Sequence, residues 1–184
     1  MRDFSGSVPV PGSVPASVAD LQPSRMRLRF LLTFGACLVL GNLLLALPWT
    51  KRVFSDPWIA LNASVTAMAT RGLGFEASSS GSGLRCGSGA LTVKEGCDGV
   101  LPMLILASAI LAFPAPLTRR LAGVILGTLF IFTLNIVRLV NLLLVAAYDP
   151  GHLELFHVYI WQVLMGVLTF GAFLLWGTLL SSRR

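Results

Sequence analysis

The sequence has little charge and few cysteines. Of its 184 residues, 12% are charged and 55% are hydrophobic. A soluble domain carries about 25% charged residues, so this composition excludes an ordinary soluble domain and indicates an integral membrane protein. Three cysteines are too few for a disulfide scaffold. The net charge of +6 does not indicate a nucleic-acid partner, because the basic residues lie in short clusters beside apolar runs, where they act as topology signals.

Apolar stretches predict an all-α integral membrane protein with about four transmembrane helices in contact with the lipid bilayer. The predicted spans are residues 30–49, 99–114, 121–145 and 158–180. Three of them are long enough to cross roughly 30 Å of hydrocarbon at about 1.5 Å per residue. The second is marginal unless its helix begins in the preceding glycine turn or the bilayer is locally thin. The first span resembles a signal peptide, but its apolar run is long and no small-x-small cleavage site follows it, so we interpret it as an uncleaved helix.

The placement of arginines predicts the orientation. The arginine clusters precede the first span, separate the second from the third, and end the chain: Arg25, Arg27 and Arg29; Arg119 and Arg120; Arg183 and Arg184. Four crossings place all of them on one side, which should be the cytoplasm. Both termini are then cytoplasmic. Residues 1–27, which contain the sequence GSVP twice, are predicted to be a disordered cytoplasmic tail, and residues 28–184 form the membrane-embedded domain.

Residues 50–98 form the one large extracytoplasmic loop. The stretch PWIALNASVTAMATRGLG at 57–74 has apolar residues at helical spacing, with Asn62 among the polar residues between them, and predicts a short helix. The Gly- and Ser-rich stretch that follows predicts a small hairpin with ALTV as a strand, leading the chain back to the membrane at Cys97.

Arg138 is the one ionisable residue well inside a predicted span. Placing an arginine at mid-membrane costs about 2.5–3.5 kcal/mol on insertion scales. Asn135 and Asn141 lie three residues to either side, which predicts a polar face directed at the bundle interior. Arg138 is therefore either a structural residue hydrogen-bonded to helix ends and the two asparagines, or a functional cation that reaches the outer interface.

Cys97 lies just before the second predicted span. The N-terminus of a helix favours an anion, so this position favours a thiolate, which is a nucleophile. Gly96 and Gly99 flank this position and leave room for a substrate backbone.

His157 opens the fourth predicted span, with Trp161 one turn below it. A lone interfacial histidine is more often a surface residue than a catalyst. On the predicted topology, however, His157, Cys97 and Arg138 converge on one leaflet from separate segments. There the imidazole could move a proton to and from the thiol, and the guanidinium could stabilise an oxyanion or hold the scissile carbonyl.

Two structural roles for the cysteines remain open at this point. Cys86 and Cys97 could form a disulfide in an oxidising compartment. Cys86, Cys97, His152 and His157 could instead bind zinc, although the ten residues between the cysteines are far from the usual close pair. Neither role explains Arg138.

Three short motifs occur in the order VKEGCDG, NIVR and FHVYIWQ, at the same ends of successive predicted helices. Together they resemble the exosortase/archaeosortase family, over residues 91–170. The resemblance implies that Cys97 is the nucleophile, that Arg138 is the family's arginine with Asn135 as its motif partner, and that His157 is its histidine. Asn141 and Trp161 are interpreted as supporting residues.

The sequence departs from the family pattern in two ways. Asp98 stands where the family usually has Ser or Thr, and an acid there should oppose thiolate formation unless it points away or orients a partner. The chain has about four predicted spans where many members have roughly eight, so it resembles a compact member, similar to the exosortase H type.

The resemblance implies a membrane cysteine transpeptidase or protease without cofactor or metal. Its partners would be secreted proteins with a C-terminal sorting tail, made of a short motif, one transmembrane helix and a basic cluster, and a possible cell-surface acceptor. Cleavage would occur through a Cys97 thioester on the extracytoplasmic side of a bacterial or archaeal cytoplasmic membrane, followed by transfer to the acceptor or to water.

Two other functions are compatible with the residues alone. A non-enzymatic membrane scaffold or assembly subunit would contain a Cys86–Cys97 disulfide and a structural Arg138. A small transporter or channel would use Arg138 as an anion site, but about four spans without an internal repeat disfavour it.

Overall fold

The computed structural model describes residues 16–181, with side chains described for residues 25–179. It is mostly helical. The helices are α1 (Ala16–Ala46), α2 (Pro48–Thr50), α3 (Asp56–Gly72), α4 (Val100–Ala112), α5 (Leu117–Tyr148) and α6 (Trp161–Ser181). Two π-helical turns, Lys51–Ser55 and Leu155–Ile160, lead directly into α3 and α6, and a single 3₁₀ turn, Pro150–His152, follows α5.

Three helical segments are long and apolar enough to cross a membrane: Arg25–Ala46, Leu117–Tyr148 and Leu155–Leu179. They coincide with the first, third and fourth predicted spans. The second predicted span corresponds to α4, a shorter apolar helix of 13 residues.

Helix α1 begins at Ala16, inside the range that the sequence predicts as a disordered tail. The predicted tail therefore differs from the structure over residues 16–27, which continue the helix without a break. Residues 1–15 and 182–184 lie outside the described residues.

Helix α4 is the central helix of the bundle and packs against α1, α5 and α6. Its short length follows from the residues around it. Gly99, with a φ of 77°, begins it with a left-handed residue, and Pro114 and Pro116 prevent it from continuing, because proline has no N–H to donate. Helix α5 begins directly after Pro116.

The segment between α3 and α4 forms a three-stranded antiparallel sheet in the order β1 (Ala77–Ser80), β2 (Gly83–Cys86) and β3 (Gly89–Thr92). The sequence predicts only one hairpin here, so the first strand is an addition. Each tight turn contains a Gly-Ser pair, and Gly81 and Gly87 have φ values of 56° and 54°. A glycine with positive φ at the first position of a two-residue loop is typical of β-hairpin turns.

Two hydrophobic clusters hold these elements together. The first joins α3 and the sheet to the C-terminal part of α5 and includes Ala63, Leu84 and Leu143. The second lies among α4, α5 and α6 and includes Ile110 and Ile131. The end of α5 is therefore fixed between the sheet and the bundle, and this is where the polar residues of the sequence converge.

Candidate active site

Cys97 lies in the turn between the sheet and α4. Its backbone N–H donates to the carbonyl oxygen of Lys94 at 2.9 Å. Gly96 and Gly99 have φ values of 87° and 77°, a region that L side chains rarely adopt. The two glycines therefore fold the chain sharply on either side of Cys97 and direct its half-buried side chain toward the start of α6.

His157 meets Cys97 across the bundle. Its Nε2 lies 3.1 Å from the Cys97 Sγ, although 60 residues separate them in sequence. The histidine sits in the π-helical turn that precedes α6. At this distance a proton can pass between the thiol and the imidazole without a rearrangement of the backbone.

Arg138 lies on α5 with 4% of its side chain exposed. It lines the same cavity as Gly96, the residue before Cys97. Within the described part of the chain its Nε has no hydrogen-bond partner, so the guanidinium is not held by the two neighbouring asparagines, as a purely structural arginine would be. A buried guanidinium with unused N–H groups can donate hydrogen bonds to a substrate carbonyl oxygen or to an oxyanion.

Asn135 holds the backbone of the Cys97 turn. It is fully buried, and its Nδ2 donates to the Cys97 carbonyl oxygen at 3.3 Å and to the Asn62 Oδ1 at 3.0 Å. A Cβ added at Gly99 would lie 3.1 Å from the Asn135 Cβ. Gly99 is therefore required both for its backbone conformation and for the close approach of the turn to α5.

Asn141 faces a different neighbour from Asn135. Its Oδ1 accepts a hydrogen bond from the Trp161 Nε1 at 2.8 Å, which ties α5 to α6 one turn beyond His157. The sequence predicts one shared polar face for Asn135, Arg138 and Asn141. At about 100° per residue, however, the two asparagines are about 120° apart around the helix axis. They flank Arg138 and orient the Cys97 turn and the His157 helix separately.

Two residues of α3 complete the support of the turn. The Asn62 Nδ2 donates to the Trp58 carbonyl oxygen at 2.9 Å, and the Trp58 Nε1 donates to the Asp98 carbonyl oxygen at 3.0 Å. Sequence reasoning assigned neither residue to the site. The one available signal was a polar Asn62 on the apolar face of a helix, and it does not reveal a partner 73 residues away.

Asp98 is turned toward the start of α4. Its Oδ1 accepts the backbone N–H of Val100 at 3.3 Å, so the carboxyl has a partner at the start of the helix. The carboxyl is buried, and burial raises its pKa, while the hydrogen bond from Val100 opposes that rise.

The groups required for a disulfide or a zinc site are separated. Cys86 is a free thiol buried in the cluster between the sheet and α3, whereas Cys97 is free and contacts His157. His152 pairs instead with the exposed carboxylate of Asp149 at 2.8 Å. Within residues 16–181 no group of three or more His, Cys, Asp or Glu residues could hold a metal ion.

A cavity of about 460 Å³ borders this site. Gly96, Arg138 and Gln162 line it, and the rest of its wall is mostly apolar and comes from α1, α4 and α6. Leu101 and Phe170 line it and also expose much of their apolar surface, so the cavity borders the outer surface of the bundle.

The geometry thus places a thiol in contact with an imidazole, beside a mostly apolar cavity whose wall includes Gly96 and the buried Arg138. A family model described as transmembrane exosortase matches residues 26–177. No curated protein matches the chain, and neither does any solved structure. The family match includes every residue of the candidate site and most of each apolar helix, and the chain belongs to the transmembrane exosortase family.

Proposed function

We propose that the protein is a membrane cysteine transpeptidase or protease that cleaves the C-terminal sorting tails of secreted proteins. The observation that carries the proposal is the 3.1 Å contact between the Cys97 Sγ and the His157 Nε2. Family membership supports the same class of reaction.

The first step forms a thioester. The Cys97 Sγ attacks the scissile carbonyl carbon as His157 takes up the thiol proton. The carbonyl oxygen becomes an oxyanion, which the Arg138 guanidinium stabilises with its unused N–H donors. Collapse of the tetrahedral intermediate breaks the peptide C–N bond, and His157 returns the proton to the leaving amine.

The second step releases the product. A water molecule or the amine of a cell-surface acceptor attacks the thioester carbonyl, gives up a proton to His157, and expels the Cys97 sulfur, which is reprotonated from His157. The sulfur, the imidazole and the guanidinium are unchanged after one cycle.

The substrate follows from the position of the site. Cys97 sits at the end of an apolar helix bundle, so a substrate held in the same bilayer meets it by diffusion in two dimensions, and confinement replaces part of the affinity that a soluble protease needs. On the orientation predicted by the arginine clusters, the site faces the extracytoplasmic side of the cytoplasmic membrane and both termini are cytoplasmic.

The test is loss of processing without loss of insertion. A secreted reporter with a motif, one apolar helix and a terminal basic cluster, taken from the source organism, is expressed with the enzyme, and tail removal is followed by the shift in its mass. Cys97→Ala should abolish tail removal, whereas Cys37→Ala, at a cysteine of α1 that does not line the cavity, should not. Full processing by the Cys97→Ala protein would overturn the proposal, and an acyl adduct at Cys97 detected by mass spectrometry would support it directly.

A further inference from the structure

A second cavity, of about 520 Å³, lies where α1 meets the end of α4. Three arginines line it: Arg25, Arg29 and Arg120. It contacts Leu111 and Ala112 at the C-terminal end of α4, whereas Cys97 precedes the N-terminal end, so the two sites are at opposite ends of this helix.

Among the side chains described, no carboxylate lines the cavity beside the three cations. Arg25 and Arg29 are one turn apart on the same face of α1. Among the side chains described, from residue 25 to residue 179, the ion pairs are Lys51 with Glu95 and His152 with Asp149. Three like charges around one cavity repel one another, and a bound anion would relieve that repulsion.

Arg120 is held in place by the end of α4. Its Nε donates to the Ala115 carbonyl oxygen at 2.7 Å, and its Nη1 donates to the Leu111 carbonyl oxygen at 3.0 Å. The Leu111 carbonyl is one that the end of α4 leaves free, and Ala115 lies in the loop between α4 and α5. The two bonds fix the guanidinium at the cavity wall, where the remaining Nη2 is free to donate to a ligand.

The remaining wall is apolar and indicates what kind of anion fits. Met26, Phe30 and Pro114 line the same cavity as the arginines. Arg25 and Arg29 come directly before the apolar run that starts at Phe30 and is long enough to span a membrane. On the predicted span, the charged part of the cavity therefore lies at the depth of lipid headgroups and the apolar part at the depth of acyl chains.

We infer that Arg25, Arg29 and Arg120 form a binding site for the phosphate of an anionic phospholipid, whose acyl chain packs against Met26, Phe30 and Pro114. Pockets with several arginines between transmembrane helices bind such headgroups through charge-assisted hydrogen bonds. The inference does not depend on the proposed reaction, because it is tested by the retention of a lipid rather than by the cleavage of a substrate.

The chain offers matched controls. Arg27 on α1 and Arg119 on α5 carry the same charge in the same clusters but do not line the cavity. If the arginines served only as topology signals or as a diffuse surface charge, Arg27→Gln would weaken lipid binding as much as Arg25→Gln or Arg29→Gln.

The experiment is native mass spectrometry of the full chain released from detergent micelles, with phosphatidylglycerol, phosphatidylcholine or inorganic phosphate added. One phosphatidylglycerol molecule should remain bound to the wild-type, Arg27→Gln and Arg119→Gln proteins. Arg25→Gln and Arg29→Gln should each lower its apparent affinity roughly fivefold. Arg120→Gln would also remove the bonds of Arg120 to Leu111 and Ala115. The inference is therefore tested with Arg25→Gln and Arg29→Gln.

Three results would overturn the inference. Equal retention of phosphatidylcholine would show that the protein does not recognise the headgroup charge. An equal loss of affinity for phosphatidylglycerol in Arg27→Gln would show that the charge attracts the lipid without a defined binding site. Displacement of the lipid by inorganic phosphate at equal concentration would show a site for a free anion rather than for a lipid.

Discussion

The Asn135 side chain donates a hydrogen bond to the backbone carbonyl oxygen of Cys97, 38 residues earlier in the chain. Helix α5 therefore contributes to the site twice: Arg138 supplies the cation, and Asn135, one turn earlier, fixes the backbone that carries the thiol. Together with Asn62 and Trp58 of α3, it couples the short turn at residues 96–99 to two helices.

Asn135→Ala should lower the rate of tail removal more than it lowers substrate binding. The Cys97 carbonyl and Asn62 would lose a buried donor, which costs about 1–3 kcal/mol of stability, and a displaced nucleophile lowers the rate by about 100-fold. The check is a fall in kcat with little change in KM. Asn42→Ala, at an exposed asparagine bonded only within α1, is the control, and an equal effect there would contradict a positioning role.

Arg138→Lys should be as inactive as Arg138→Gln. Lysine keeps the charge but lacks the planar set of donors, and the loss of an oxyanion donor costs about 100- to 1,000-fold in rate. Membrane insertion of both variants is checked by their extraction from washed membranes, and tail removal is measured on the reporter. Turnover at the wild-type rate with lysine would mean that charge alone is sufficient.

Gly99→Ala should destabilise the protein and inactivate the site. The added Cβ requires a φ of 77° from an L residue, at a cost of about 1–2 kcal/mol, and it crowds the Asn135 side chain at 3.1 Å. The free energy of unfolding in detergent and the rate of tail removal should fall together. Gly171→Ala, where an added Cβ meets no atom within 4 Å, should leave both unchanged or raise stability slightly.

Asp98→Asn should change how stability depends on pH. Burial raises the pKa of the Asp98 carboxyl above its ordinary value of 3.8. The carboxyl therefore binds its proton more tightly in the folded chain than in the unfolded chain. The stability that the protonated carboxyl contributes is complete below the pKa of the unfolded chain and is lost as the pH rises through the pKa of the folded chain. Asparagine cannot ionise, yet its oxygen can still accept the Val100 N–H.

The measurement is the midpoint of thermal unfolding in detergent from about pH 4 to about pH 8. The wild-type midpoint should fall relative to that of Asp98→Asn as the pH rises. Glu76→Gln, at an exposed carboxylate, should track the wild type throughout. A wild-type midpoint that rises relative to Asp98→Asn would mean that the carboxylate is stabilised by its hydrogen bond more than it is destabilised by burial.

The sequence predicts the apolar helices and the local position of each polar residue, because hydrophobic length and helical spacing are properties of neighbours in the chain. It predicts that Arg138 faces the bundle interior, since leaving it in lipid is costly. The predicted topology and the family resemblance bring Cys97 and His157 together. The sequence does not predict their 3.1 Å separation or the Asn62–Asn135 bond, because these depend on how distant helices pack. The first β-strand, Ala77–Ser80, is too polar to be recognised without its partner strands.

Helix α4 rises only about 20 Å over its 13 residues, whereas a typical hydrocarbon core is about 30 Å thick. If α4 spans the membrane, as the sequence predicts, the bilayer thins beside it or the turn at residues 96–99 sits below the level of the surrounding headgroups. On the proposed function, the distance from the Cys97 sulfur to bulk water is then set partly by the lipids, and shorter acyl chains would bring the thioester closer to any water or amine that resolves it.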